Sequence, residues 1–216
     1  MAPFAVFMGL LALHSVWPLA DLSDQILRVT VMTAVLWFVL RGPFRPALDL
    51  RVRHLAATVA IGVAVFALWI APDLLIPGYR HFRLFDNAVT GRAATSLSAS
   101  ATIAWPVLAL RMIRAVVIVP IVEELFWRAW LMRWLIDSDF QKVPLGKYTA
   151  FSFWTVAVLF ASEHGPYWDV GLVAGIIYNW WMVRTRSLGD LILAHAVTNF
   201  VLSAYVIAAG KWEYWL

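Results

Sequence analysis

No cysteine occurs among the 216 residues. That excludes disulfides, thiolate metal sites, a cysteine nucleophile and a palmitoyl anchor, and it leaves the redox compartment unread. Charge is scarce as well. Asp, Glu, Lys and Arg make up 14% of the chain against 62% hydrophobic residues, and the mean hydropathy is +0.77. A soluble domain carries about 25% charged and roughly 45–50% apolar residues. A single core of this size cannot absorb the apolar excess, so a soluble enzyme, a disordered tail and a fibrous protein are poor readings. Soluble-enzyme signatures are missing too: the sequence has no His-Glu-x-x-His, Gly-x-Ser-x-Gly, Walker loop or Gly-x-Gly-x-x-Gly. A polytopic membrane protein remains.

Lys and Arg total 17 against 13 Asp and Glu, a net charge of +4. The basic residues are spread between apolar runs, which sets membrane topology and is no sign of a nucleic-acid partner. Thirteen Trp and six Tyr suit interfacial belts, although most of them are expected to pack the bundle.

A membrane helix needs about 20 mostly apolar residues. Seven runs approach this, at about 3–19, 25–40, 55–71, 104–135, 148–164, 168–183 and 188–209. The first lacks the basic n-region of a cleaved signal peptide and is read as a span. Pro72 is expected to close the third. The fourth is too long for one straight span and is expected to break at Pro120. Gly165-Pro166 closes the fifth and Gly210 the seventh. The sequence shows no internal repeat, low-complexity tract or soluble linker. The expected fold is all-α, a single transmembrane domain over 1–216 with about seven spans.

Loop charges orient it. Arg41, Arg45, Arg51 and Arg53 lie between spans two and three, Arg133, Lys142 and Lys147 between four and five, Arg184 and Arg186 between six and seven. By the positive-inside rule these loops and the N-terminus are cytoplasmic. Asp21, Asp24, Glu163 and Asp169 fall on the other side. So do Arg80, Arg83 and Arg92, against the rule.

Ionisable residues inside spans are costly and mark function. The fourth run holds Glu123-Glu124-Leu-Phe-Trp-Arg128. Adjacent helical residues point about 100° apart. Glu124 and Arg128, at i,i+4, can pair, which leaves Glu123 free as a candidate general base for water. Pro120, one turn earlier, removes a backbone donor and opens the helix. An interfacial charge pair at a helix end is the competing reading. The fifth run ends in Phe160-Ala-Ser-Glu163-His164, with Phe160 and His164 on one face. Taken alone, His164 reads as an interfacial histidine, and Glu163 and Asp169 as solvated loop charges. The seventh run holds His195-Ala-Val-Thr-Asn199, two polar groups one turn apart that need partners across the bundle; interhelical glue is the alternative. Gly171-x-x-x-Gly175 is a packing motif. Asn179 reads as structural glue, Arg184-Thr-Arg186 as a topology anchor, and Arg111 and Arg114 as lining a cavity or lying near the interface.

Glu-Glu-x-x-x-Arg, then Phe-x-x-x-His, then His-x-x-x-Asn, in this order on separate apolar helices, resembles the CPBP (ABI) family of intramembrane proteases, the type II CAAX prenyl endopeptidase-like proteins. The resemblance covers about residues 104–205; residues 1–103 carry no recognisable motif. The run from Val122 to Leu131, with Asp139-Phe140, Val143-Pro-Leu-Gly146, Glu163-His164, Tyr178-Asn179, Arg184-Thr and Ala194-His-Ala, is similar to a bacterial subgroup found with exosortase/PEP-CTERM systems.

The resemblance implies an intramembrane endopeptidase of the bacterial inner membrane. It would cut a membrane-borne peptide or protein, with an exosortase-system partner. Glu123 would activate water, Glu124 and Arg128 would support it, His164 and His195 would position the water or stabilise the tetrahedral intermediate, and Asn199 would donate to the oxyanion. It implies either no cofactor or a divalent metal such as zinc, held by Glu123, His164 and His195. A non-proteolytic immunity, scaffolding or assembly factor, and a small transporter or proton relay, are the competing functions. One condition follows. His164 lies at the outer end of span five and His195 two turns into span seven, a depth difference of roughly 10 Å. A shared site requires a tilted or short sixth span, or a re-entrant fourth segment.

Overall fold

The computed structural model describes residues 1–41 and 49–215; Arg45, one of the loop charges used for topology, lies outside the described residues. The described chain is all-helical. Its seven longer helices are α1 (Ala2–Val16), α2 (Asp21–Arg41), α3 (Leu55–Leu75), α4 (Trp105–Trp134), α5 (Ala150–Ser162), α6 (Trp168–Thr185) and α7 (Leu188–Ala209). They fall one to one on the seven apolar runs. Among the described residues α2, α3, α4 and α7 are long and apolar enough to cross a bilayer, and α1 and α5 are shorter apolar helices.

Two expected breaks do not occur. Pro72 lies inside α3, which continues to Leu75. A proline costs one backbone hydrogen bond to the residue four back, and in the last turn that loss does not end the helix. Pro120 likewise lies inside α4. The helix accommodates it by widening to π geometry over Arg114–Ile118, where the Val119 N–H bonds the Arg114 carbonyl five residues back. A second π stretch covers Trp127–Leu131. Single π turns inside α-helices recur at functional sites.

Small residues and hydroxyls set the tightest packing, as expected where lipid removes the hydrophobic drive. α3 crosses α7 at Gly62, where an added Cβ would fall 2.6 Å from the Ala194 carbonyl oxygen. Thr198 Oγ1 donates to the Gly62 carbonyl at 2.9 Å and receives the Tyr178 hydroxyl at 2.7 Å. Thus α3, α6 and α7 are tied at one level. Trp127, Phe153, Phe160, Tyr178 and Leu191 form the core among α4 to α7. α1 is held through Phe4, which stacks on Phe126 with ring centroids 3.8 Å apart. Trp127, Trp181 and Trp215 are buried, whereas Trp37, Trp105, Trp154 and Trp180 are exposed on the outside of the bundle.

α5 has only 13 residues, about 20 Å at 1.5 Å per residue, against a hydrocarbon thickness of about 30 Å. The turn after it therefore ends well short of the full span. The α3–α4 connection packs over that end. Arg80 donates to the Pro166 carbonyl at 2.8 Å and pairs with both Asp73 and Asp169, and Trp168 donates to the Leu84 carbonyl. Asp169 is thus a partly buried ion-pair partner, not a solvated loop charge.

Candidate active site

α4 separates the two adjacent carboxylates, as the helical angle requires. Glu124 is fully buried and fully engaged. Arg128 Nη1 donates to both its oxygens at 3.0 Å, and His195 Nδ1 lies 2.8 Å from its Oε1. The other edge of Arg128 is held too: Nε donates to Asn179 Oδ1 at 2.8 Å, and the Asn179 amide donates to the Phe153 carbonyl at 2.7 Å. The guanidinium carbon also lies 4.5 Å from the Phe160 ring centroid. A buried ion pair is viable only when its remaining donors and acceptors are satisfied. Here they are, by residues from four helices.

Glu123 makes none of these contacts. It is buried, yet its Oε2 has no hydrogen-bond partner among the described residues and lies 3.9 Å from His195 Nε2. That is too far for a direct hydrogen bond and suits a water touching both atoms.

Both imidazoles have a defined tautomer. His164 Nδ1 lies 2.7 Å from the Phe160 carbonyl oxygen, which can only accept, so Nδ1 carries the proton. His195 Nδ1 faces a carboxylate with the same consequence. In the neutral ring each Nε2 is then an acceptor. The two histidines come together despite the depth difference along the chain. Phe160 touches both, with ring centroids 4.7 Å from His164 and 6.2 Å from His195. The shared site that the sequence made conditional is therefore formed, with Phe160 of α5 as the common neighbour of both rings. Gly171 of α6 completes the fit: a Cβ there would fall 3.1 Å from the His164 ring.

Asn199 is placed by the π stretch. Widening removes the α-type donor of the Ala115 carbonyl, and the next candidate, Pro120, has no N–H. Asn199 Nδ2 fills the gap, donating to Ala115 at 2.8 Å. One amide hydrogen is thereby spent and the second is free for a ligand.

Glu123, His164, His195 and Asn199 all line one cavity of about 160 Å³. A neighbouring cavity of about 280 Å³ shares Glu123 and His164 and adds Glu163, Arg111 and Arg114. Glu163 is exposed, but it receives the Trp127 indole N–H at 3.1 Å. It is a mouth residue and not a free loop charge. Tyr214 lines both cavities and donates to Asp73 at 2.8 Å. Burial, followed by that carboxylate, pushes its hydroxyl above the ordinary range and keeps it a donor.

Residues 104–201 match the family model Rce1-like, Type II CAAX prenyl endopeptidase Rce1-like. The match runs from the residue before α4 to the last third of α7. It contains the three motifs and supports the CPBP family and a membrane protease. No curated protein and no solved structure matches the chain. Together with the apolar helices, the Rce1-like match makes this an integral membrane protein.

Among the described residues no three His, Cys, Asp or Glu side chains are grouped as a metal-ion site. As placed, Glu123, His164 and His195 do not fit a three-ligand zinc centre. Sequence reasoning treated Asn179 as glue; its function as the clamp on Arg128 rests on a contact between residues 51 positions apart, which no local pattern displays.

Proposed function

We propose that the chain is an intramembrane endopeptidase that uses Glu123 to activate water against a peptide bond of a membrane-associated substrate. The observation that carries this reading is the contrast between the two carboxylates. Glu124 is consumed by Arg128 and His195, whereas Glu123 faces the cavity with an unpartnered oxygen. Structural glue accounts for Glu124, Arg128 and Asn179. It leaves Glu123 without a purpose, and a buried carboxylate without a partner is expensive.

In the proposed step a water bridges Glu123 Oε2 and His195 Nε2. Glu123 takes one of its protons and the oxygen attacks the carbonyl carbon. Nε2 of the neutral His195 ring accepts the water's second proton and fixes its orientation, while His164 lines the same cavity beside it. The free Asn199 amide hydrogen meets the developing oxyanion. Glu123 then returns the proton to the leaving nitrogen as the C–N bond breaks, giving a carboxylic acid and an amine. Glu124 keeps His195 in the tautomer that presents Nε2, and Arg128 holds both oxygens of Glu124 in place.

The similarity of the Val122–Leu131 run to the exosortase-associated subgroup supports a place in a bacterial inner membrane beside such a system. The loop arginines support a cytoplasmic N-terminus, which reporter fusions at each loop would test. The decisive test of the activity is cleavage of a quenched membrane peptide by the reconstituted protein and its Glu123→Gln variant. Loss of cleavage with the fold intact is expected; retained cleavage overturns the assignment.

A further inference from the structure

The larger cavity holds two arginines that the hydrolytic step does not use. Arg111, Arg114, Ala115, Val119 and Glu123 line it as one stripe of α4, spaced i, i+3, i+4, i+8 and i+12 along a single face. The stripe is polarised. Glu123 stands at one end, joined by Glu163 through the Trp127 contact. The arginines stand at the other. Both are more than nine-tenths buried, at 5% and 8% exposure. Arg111 lies against Trp215, its guanidinium carbon 5.3 Å from the ring centroid. Arg114 Nη1 is buried without a hydrogen-bond partner among the described residues.

An open guanidinium donor in dry surroundings costs free energy unless an anion meets it, and it is the donor geometry that suits a carboxylate. The carboxylates that line this cavity, Glu123 and Glu163, sit at its far end; Asp24 of α2 lies near the arginines but outside the lining, and it leaves Arg114 Nη1 without a partner among the described residues. Glu123 lies nine positions after Arg114, roughly 13 Å along the helix at 1.5 Å per residue. An extended peptide covers at most about 3.3–3.6 Å per residue, so a chain reacting at Glu123 reaches Arg114 within about four residues.

We propose that Arg114, flanked by Arg111, is a specificity-determining subsite that holds a carboxylate of the substrate about four residues from the cut bond. This deepens the protease reading and rests on it for the identity of the ligand. The carboxylate is either the end of the substrate chain or an acidic side chain. Repulsion from Glu123 and Glu163 and attraction by the arginines orient the peptide along the stripe, so the subsite fixes which bond faces Glu123.

The test uses the full chain in phosphatidylcholine vesicles and one quenched apolar peptide in three forms: free terminal carboxylate, terminal amide, and amide with an Asp side chain near the end. A carboxylate form is expected to exceed the plain amide in kcat/KM by about 10–100-fold, mainly through KM, as a buried charge-assisted contact provides. Arg114→Gln collapses that gap and Arg114→Lys keeps part of it. The form that shows the gap identifies the source of the carboxylate. Equal rates for all three forms in the unaltered protein, or a gap that survives Arg114→Gln, overturns the subsite.

Direct binding of the same labelled peptides to Glu123→Gln separates the two claims. If nothing is cleaved but the carboxylate forms bind more tightly and need Arg114, hydrolysis fails and the subsite stands. If binding ignores the carboxylate, the subsite fails. If Arg114→Gln does not fold, the relative affinity of the three peptides for Glu123→Gln decides by itself: tighter binding of either carboxylate form than of the plain amide supports the subsite, and equal binding of all three overturns it.

Discussion

Asn179 Oδ1 accepts from Arg128 Nε at 2.8 Å while Asn179 Nδ2 donates to the Phe153 carbonyl, so one amide on α6 joins the charged residue of α4 to the backbone of α5. Replacing it by an apolar residue of similar size leaves a buried cation short of an acceptor. Asn179→Leu is expected to cost about 1–3 kcal/mol, read as a lowered Tm in detergent. It should also reduce cleavage, because Arg128 and with it Glu124 and His195 lose their position.

Glu123 and Glu124 should fail in different ways. Glu123→Gln is expected to lower cleavage at least 10³-fold with Tm almost unchanged, since its Oε2 holds nothing in the fold. Glu124→Gln leaves Arg128 as an uncompensated buried charge, at a cost of about 3–5 kcal/mol. Thermal unfolding of the two variants side by side separates them; equal destabilisation contradicts the division of labour.

Two glycines make a similar contrast. At Gly62 a new Cβ meets backbone, 2.6 Å from the Ala194 carbonyl oxygen, and Gly62→Ala is expected to cost about 1–3 kcal/mol by forcing α3 from α7. At Gly171 it meets the His164 ring at 3.1 Å, which must shift by tenths of an ångström. Gly171→Ala is expected to fold normally and to lose activity several-fold through misplacement of that ring.

Cleavage is expected to survive exhaustive dialysis against a chelator, with metal content of the purified protein measured in parallel. Activity that falls to background and returns with zinc would show that ligands regroup around an ion.

The seven apolar runs were legible in the sequence, and so was the order of the three motifs, because burial in lipid is written as length and composition. The start and end of α7 at Leu188 and Ala209 coincide with the reading from composition. What failed was punctuation by proline. Pro72 and Pro120 carry an average meaning as breakers, but a terminal turn and a π stretch absorb them. The pairing of Glu124 with Arg128 followed from i,i+4 spacing. The clamp by Asn179, the link from Glu124 to His195 and the capture of the Ala115 carbonyl by Asn199 did not, since each joins separate helices. Asp169 was misread for the same reason: its partner Arg80 is 89 residues away, in a loop whose arginines ran against the topology rule.

The 13-residue α5 has a consequence for water supply. A rod about 20 Å long in a slab about 30 Å thick stops inside the headgroup level, and the α3–α4 connection roofs it with charged groups, Arg80, Asp73 and Asp169. Under the proposed chemistry that polar roof stands where acyl chains would otherwise lie, so the hydrolytic water enters between paired side chains and crosses little oil on the flank where α5 ends.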